Sequence, residues 1–415
     1  MMHSHMTTIG DIARVFDGPH ATPKKISSGP YFLSISSLEK GRLELAKSAF
    51  LSEEDFKKWT KRVTPEEGDL LFSYETRLGE AALMPAGVKA CLGRRMGLLR
   101  FNKDKVIPEY VLYAYLSPAF QQTIKANTLR GATVDRLSIS DFPDFPIRIP
   151  PLEEQEKVAN LLGSIDKKID LNNRINAELE AMAKTLYDYW FIQFDFPDAN
   201  GNPYKITGGK TIYNPILKRK IPDGWKDSTI GEIEPNIITG KTPSKNHPEY
   251  FGGNVPFITI GDIRGNTYIV STEETLTDKG AATQKNKFLP EDSICVTCIA
   301  SPGLVGFVTT PAQTNQQINS LVCDNECNKY YLYFTIKSYF DGAKAKTGNT
   351  FANMNKGDFS SINILKPSNQ VLQLYHQKAH PLFQQIKLKS LENQQLIQIR
   401  NWLLPMLMNG QVTIK

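Results

Sequence analysis

One stretch constrains this fold more than any other. Residues 150–196, PPLEEQEKVANLLGSIDKKIDLNNRINAELEAMAKTLYDYWFIQFDF, carry apolar side chains on a seven-residue period. Val158, Ile165, Asn172, Leu179 and Leu186 form one row; Leu162, Ile169, Asn176, Ala183 and Trp190 form the row four residues on. This a/d spacing gives a helix a narrow apolar seam that a partner helix must cover. Pro150 and Pro151 suit its start, and Glu153, Glu154 and Glu156 complement the positive end of the helix dipole. At about 1.5 Å per residue the helix would run roughly 55–60 Å, a rod and not an ordinary core helix.

The stretch occurs twice. A shift of 217 residues carries Pro150 onto Pro367, Leu162 onto Ala379, Ile165 onto Leu382 and Ile169 onto Ile386. The same shift carries Asn176 onto Asn393, Leu179 onto Leu396, Leu186 onto Leu403 and Trp190 onto Leu407, and Gly410 supplies a stop. The natural partner for the first rod is the second. The repeat extends outside the rods. Thr8-Ile9-Gly10-Asp11-Ile12 parallels Thr229-Ile230-Gly231-Glu232-Ile233, and Gly18–Pro23 parallels Gly240–Pro243. Pro30–Ile35 parallels Val255–Ile260, and Gly68–Phe72 parallels Glu291–Cys295. The chain therefore reads globule, rod, globule, rod.

Its 415 residues leave room for two or three domains, and 40% hydrophobic residues supply ample core. Each globule reads as short strands and turns, with strands expected at Tyr31–Ser36, Asp69–Ser73, Met96–Phe101, Phe257–Ile260, Ser293–Ile299 and Val305–Thr309. A helix is expected over Glu109–Lys125 in the first and over Lys329–Tyr339 in the second. The fold class is α/β (α+β): two globules with irregular mixed sheets, separated by two long helices, in an internal pseudo-twofold repeat. The boundaries are 1–149 for the first globule, 150–196 for the central helix, 197–224 for a turn-rich linker, 225–367 for the second globule and 368–415 for the last helix.

No apolar run reaches the length of a membrane span and no signal-peptide pattern is present, so no membrane is expected as partner. The five cysteines, few and odd in number, point to a reducing cytoplasmic setting. Catalytic motifs fail one by one. Gly240-Lys241-Thr242 lacks the glycine of a phosphate loop, since position 235 is proline. Asp198–Gly201 lacks the other ligands of a calcium loop and reads as an Asx turn. Cys295, Cys298, Cys323 and Cys327 have metal-like spacing, but Cys295 aligns with Phe72 and Cys298 with Glu75, which makes Cys295 a small core residue and leaves no metal expected. There is no nucleophile elbow, no HExxH, no kinase set and no Asn/Asp-Pro-Pro-aromatic methyltransferase loop. The chain reads as a binder, not an enzyme.

The net charge of +6 permits nucleic-acid binding without demanding it. Placement says more: the first rod is acidic on balance, so the positive charge lies in the globules, in expected loops beside Thr, Ser, Asn and Gln. Cations suit phosphates, and Arg, Asn and Gln suit base edges. The candidates for DNA contact in the first globule are Thr22, Lys24, Lys25, Arg77, Arg94, Arg95, Arg130, Thr133 and Arg136. In the second they are Lys241, Thr242, Ser244, Lys245, Arg264, Lys344, Lys346, Asn349 and Thr350. Any one lysine is ordinarily a solvated surface residue; the ensemble carries the reading.

This order of parts resembles the specificity subunit of type I restriction–modification systems, over nearly the whole chain. The pieces that carry the resemblance are Ile149–Gln155, Tyr189–Pro197, Leu403–Gly410, Thr242-Pro243-Ser244 and Pro256-Phe257-Ile258. The match to such pieces is looser in the first globule. The resemblance implies that each globule reads one half of a bipartite, asymmetric site in double-stranded DNA. It implies that the rods pair antiparallel and set the gap between halves, and that the chain itself does no chemistry and holds no cofactor. Two methylation subunits using S-adenosylmethionine, and motor-nuclease subunits using ATP and Mg, would be its partners. Antiparallel pairing would bring Asn172 and Asn176 near Lys389 and Asn393, where buried polar a/d residues set register. The alternatives are the specificity subunit of a related two-part restriction–modification enzyme, a scaffold whose rods bind proteins without DNA, and a self-contained nuclease or nucleotide enzyme.

Overall fold

A computed structural model describes residues 5–131, 134–347 and 353–414, with backbone alone at residues 346 and 347. The chain divides into two compact units, Met1–Lys168 with Leu396–Lys415, and Ile169–Gln395. Each is a mixed helix-and-sheet fold, and both follow one plan.

In the first unit Met6–Thr8 pairs antiparallel with Pro146–Arg148. Thr8 then caps the short helix Ile9–Ile12, the Asp11 carboxylate accepting from the Thr8 amide at 3.1 Å and its hydroxyl at 2.9 Å. The second unit repeats this with Lys226–Thr229 against Asn363–Lys366. There Thr229 caps Ile230–Ile233 and its amide donates to Glu232 at 3.0 Å. The main sheet of the first unit has the order Ala13–Asp17, Met96–Phe101, Leu70–Ser73, Ala81–Leu83, all antiparallel. That of the second has Ile237–Thr239, Ile318–Leu321, Ile294–Thr297, Val305–Val308, and a fifth strand, Tyr268–Ile269, parallel to its neighbour. A smaller sheet recurs too: Ala49–Phe50, Ile26–Phe32, Ala90–Cys91 in one, Glu274–Leu276, Phe251–Ile258, Gln313–Thr314 in the other.

The central strands Leu70–Ser73 and Ile294–Thr297 are buried along their whole length. Alternate residues of a strand face opposite ways, so each strand feeds two cores. Leu70 and Phe72 join Tyr110, Phe142, Val158, Leu162 and Leu407, while Leu71 joins Leu33, Leu38 and Met96. Ile294 and Val296 join Tyr330, Tyr331, Trp190 and Phe383, while Cys295 joins Ile258, Val308 and Ile318.

Register corrects the repeat alignment. Met96 lies opposite Ser73 and Ile318 opposite Thr297. Cys295 therefore stands in the place of Leu71, not Phe72, and Cys298 in that of Tyr74, not Glu75. Cys295 is fully buried and its sulfur accepts from Ser320 Oγ at 3.5 Å.

Element limits also differ from expectation, the strand at Phe257–Ile260 being Phe251–Ile258 with a short helix from Ile260. The helix expected over Glu109–Lys125 is two, Pro108–Leu116 and Pro118–Ala126, because the residue before a proline is driven out of the helical region. Ser117 sits there at φ −65°, ψ 149°, donating to Ala114 O at 2.6 Å and accepting from Phe120 N at 3.4 Å. The strand expected at Tyr31–Ser36 is Ile26–Phe32, followed by a tight turn at Ile35–Ser37. The helix begun at Lys329 runs on to Thr347.

The two long helices are Leu152–Tyr187, with 36 residues, and Asn369–Met408, with 40. A wider turn at Asp188–Ile192 ends the first, and the stretch after it holds a hairpin, Thr211–Asn214 with Arg219–Pro222. Within the second unit the helices pair antiparallel: Asn176 Nδ2 donates to Ser390 Oγ at 3.3 Å, Asn172 Nδ2 to Asn393 Oδ1 at 2.9 Å, and Tyr375 OH to Ala183 O at 3.5 Å. Within the first unit Arg400 Nη1 meets Asp166 Oδ1 at 2.7 Å. Among the described residues no helix is long and apolar enough to cross a membrane.

Candidate nucleic-acid interface

Two loops occupy equivalent places in the two units. Gly93-Arg94-Arg95 precedes the strand Met96–Phe101, and Asn315-Gln316-Gln317 precedes Ile318–Leu321. Backbone bonds fix the equivalence. Tyr74 N donates to Arg95 O at 3.2 Å, and Cys298 N to Gln317 O at 2.9 Å. Gly18 N donates to Met96 O at 2.8 Å, and Gly240 N to Ile318 O at 3.1 Å. Each of these glycines presses on the loop. A Cβ at Gly18 would lie 2.6 Å from Gly93 O, and one at Gly240 would lie 2.2 Å from Asn315 O. Only glycine allows that approach.

In the first unit this loop borders an open cleft of about 350 Å³ lined by His20, Tyr74, Arg94, Arg95 and Arg136 among others. The structure thus brings together three of the expected arginines. Arg94 is exposed, and among the described residues it has no hydrogen-bond or ion-pair partner. Arg95 is tied down: its backbone is left-handed at φ 71°, its Nε lies 2.9 Å from Glu75 Oε2, and its Nη1 donates to Thr76 Oγ1 at 3.4 Å. Arg136 is exposed, held by backbone bonds of 2.8 and 3.1 Å with Leu129. The Tyr74 hydroxyl is pushed above its ordinary value by burial, with Asp17 and Glu75 adding to it, so it stays a neutral donor.

The other candidates of this unit are dispersed. Thr22, Lys24 and Lys25 are exposed in the loop that follows Gly18, and Arg130 is exposed next to Leu129. Arg77 turns inward, donating to Ile35 O at 3.2 Å and meeting Glu80 Oε1 at 3.4 Å. Thr133 lies outside the described residues.

In the second unit Lys241 and Thr242 lie against the Gln loop. Lys241 N donates to Thr314 O at 2.9 Å and leaves an exposed side chain, while Thr242 Oγ1 donates to Gln316 Oε1 at 2.6 Å. Ser244 is exposed, and its carbonyl accepts from His247 N at 3.2 Å. Lys245 Nζ stands 3.8 Å from Glu274 Oε1, and Arg264 Nη2 donates to Ser301 Oγ at 3.2 Å. Lys344 is not in a loop: it and Lys346 belong to the last turns of Lys329–Thr347. The Lys346 side chain, Asn349 and Thr350 lie outside the described residues.

Sequence reasoning passed over Gln316, Gln317 and Asn315, and over His20 and Tyr74. The available signal was the polar run TNQQINS, Thr314–Ser320, at the place of Leu92–Leu98.

Of the four residues expected at the helix seam, Asn172 and Asn393 bond one another, and Lys389 and Asn176 bond their neighbours Glu392 and Ser390. Asn172 Nδ2 donates to Asn393 Oδ1 at 2.9 Å and to Glu392 Oε2 at 3.0 Å, and Lys389 Nζ reaches the same Glu392 oxygen at 3.2 Å. Asn393 Nδ2 donates to Asn173 Oδ1 at 2.8 Å, and Asn176 bonds Ser390 one turn on.

A model of the type I restriction modification DNA specificity domain matches this chain twice, over residues 5–181 and 222–401. The chain belongs to the type I restriction–modification specificity subunit family. This specificity subunit is 30% identical over 362 residues to the type I restriction enzyme HindI specificity subunit of Haemophilus influenzae, covering 75% of this chain and 79% of that one. It is 25% identical over 409 residues to the MjaIX specificity subunit of Methanocaldococcus jannaschii, covering 96% and 88%. In fold it is similar to the S subunit of a type I restriction–modification system from M. genitalium, with a TM-score of 0.54 at 15% identity, covering 97% and 95%. As a specificity subunit with two target-recognition domains, it is the non-catalytic recognition component of its system.

Proposed function

We propose that each unit reads one half of a bipartite, asymmetric DNA site through the loop edge described above, and that the paired long helices set the unread gap. The observation that carries this reading is one scaffold built twice with different side chains at its edge: Arg94-Arg95 in one copy, Gln316-Gln317 in the other. Equivalent scaffolds with different reading groups suit two different half-sites. Exposed Lys24, Lys25, Arg130, Arg136, Lys241 and Lys245 supply the phosphate contacts that position the duplex. Thr133, Asn349 and Thr350 complete the candidate set.

In this proposal the subunit acts in the cytoplasm and recruits two methylation subunits that use S-adenosylmethionine, joined for restriction by motor-nuclease subunits that use ATP and Mg. This chain needs no cofactor of its own. The polar group around Asn172, Asn176, Lys389 and Asn393 pins helix register, and through it the gap between half-sites.

The test is co-expression with the adjacent methyltransferase gene and mapping of adenine methylation in the host genome. A single split motif, lost when this chain is omitted, is the expected result. Absence of new methylation, with the two proteins failing to co-purify, would refute the reading.

A further inference from the structure

The reading of two half-sites leaves open which side chains read bases, and the repeat itself offers an answer. Arg94 and Gln316 hold the same place: each stands two residues before the strand residue that faces Ser73 or Thr297. In each loop the next residue is partly buried and anchored. Arg95 is held by Glu75 and Thr76; Gln317 accepts at its side-chain oxygen from Asn315 Nδ2 at 3.1 Å. In each loop the residue just before it, Arg94 or Gln316, is the exposed one. Arg95 and Gln317 hold the loops, and Arg94 and Gln316 project from them.

We propose that Arg94 and Gln316 are the paired base-reading residues of this subunit, Arg94 recognising a guanine in one half-site and Gln316 an adenine in the other. The proposal deepens, and rests on, the half-site reading above. The chemistry follows from donor geometry. A guanidinium presents two parallel donors that match guanine O6 and N7 in the major groove. A carboxamide presents one acceptor and one donor that match adenine N6 and N7. The Thr242 hydroxyl, donating to Gln316 Oε1 at 2.6 Å, orients the amide. A carbonyl oxygen has a second lone pair, so an acceptor remains for the base while the NH₂ donates. Arg94 stands on the rim of the cleft it shares with His20, Tyr74 and Arg136. Gly18 and Gly240 approach the two loops at equivalent places, against Gly93 O and Asn315 O.

The experiment uses the complex with its methylation subunits and maps adenine methylation for the wild-type chain, Arg94→Gln, Arg94→Lys and Gln316→Arg. The wild-type motif should carry a G·C pair at the read position of one half and an A·T pair at that of the other. Arg94→Gln should cut methylation at the guanine-bearing motif by about ten- to a hundredfold and favour adenine at that one position. Gln316→Arg should do the reverse in the other half, each leaving the opposite half unchanged, and Arg94→Lys should keep guanine with weaker discrimination. Both residues are exposed, so unchanged thermal melting should accompany each shift. An unaltered motif and rate in both Arg94→Gln and Gln316→Arg would overturn the proposal while leaving the half-site reading intact. Equal loss over all sequences with a shallower salt dependence would overturn it as well, since that is the signature of a phosphate contact. A wild-type complex with no split motif would overturn both.

Discussion

Asn172 donates to Asn393 at 2.9 Å across the helix pair of the second unit, with both side chains withdrawn from solvent, at 0% and 8% exposure. Such a pair gives up apolar packing in exchange for alignment. The cost is visible among the described residues: Asn172 Oδ1 and Asn176 Oδ1 are buried without a hydrogen-bond partner.

Replacing Asn393 by Ala should leave one of the two Asn172 N–H groups without its acceptor, the other still donating to Glu392, and lower stability by about 1–3 kcal/mol. Replacing Asn172 and Asn393 together by Leu should raise the melting temperature and loosen register. Urea unfolding checks the first outcome, and methylation mapping of the double variant checks the second, where motifs with altered gaps should appear.

In the first unit Tyr113 OH donates to Asp166 Oδ2 at 2.6 Å while Arg400 meets Asp166 Oδ1 at 2.7 Å. Burial first, and the Asp166 charge with it, pushes the Tyr113 hydroxyl well above its ordinary value, so it remains a donor at any working pH. Asp166→Ala should therefore cost more than Arg400→Ala, because it leaves two donors without their acceptor. The expected losses are about 2–3 and about 1 kcal/mol, read by chemical denaturation.

Glu180 accepts from Lys337 Nζ at 2.6 Å, Thr267 Oγ1 at 2.6 Å and Tyr333 OH at 2.8 Å. Burial alone would raise its carboxyl, but Lys337 and these donors outweigh burial and hold it below the usual glutamate value. A depressed folded value stabilises at pH above the unfolded one and is lost as pH falls through the folded one. Asp292, held down against burial by Lys329 and Lys387, acts in the same direction. The urea midpoint should thus fall on acidification below the ordinary carboxylate range, and Glu180→Gln should flatten that fall.

Lys241 and Arg130 are exposed and suited to phosphates. Replacing either by Ala should weaken DNA binding about equally for all sequences and reduce the slope of log affinity against log salt by about 1. Titrations of the assembled complex at several salt concentrations would measure it.

Gly240→Ala places a methyl group 2.2 Å from Asn315 O and 2.2 Å from Thr314 Oγ1. The backbone around Gln316 must then move. Recognition of one half-site should be lost and that of the other retained, a polarity that methylation of hybrid sites would reveal.

Much of this architecture was written locally. The seven-residue period, the repeated capping pairs Thr8–Asp11 and Thr229–Glu232, and the two prolines at 150 and 151 act over a few residues each, and short-range rules are legible without a fold. The break at Ser117 was equally local, yet the hydrophobic run around it masked the meaning of Pro118. The candidate edge was half legible: basic residues announced Arg94, Arg95 and Arg136, while Gln316 carries no charge to draw attention.

The sequence alone determined that the chain is two like globules and two long helices, because periodicity and repetition are properties of order along the chain. The tertiary structure decided strand register. Leu70–Ser73 and Ile294–Thr297 are buried on both faces, so no alternation of apolar and polar residues marks which side chain faces which core. Hydrogen bonds to partner strands fixed the register, setting Cys295 with Leu71 and Arg94 with Gln316. Those bonds join residues far apart in sequence, and only the folded chain brings them together.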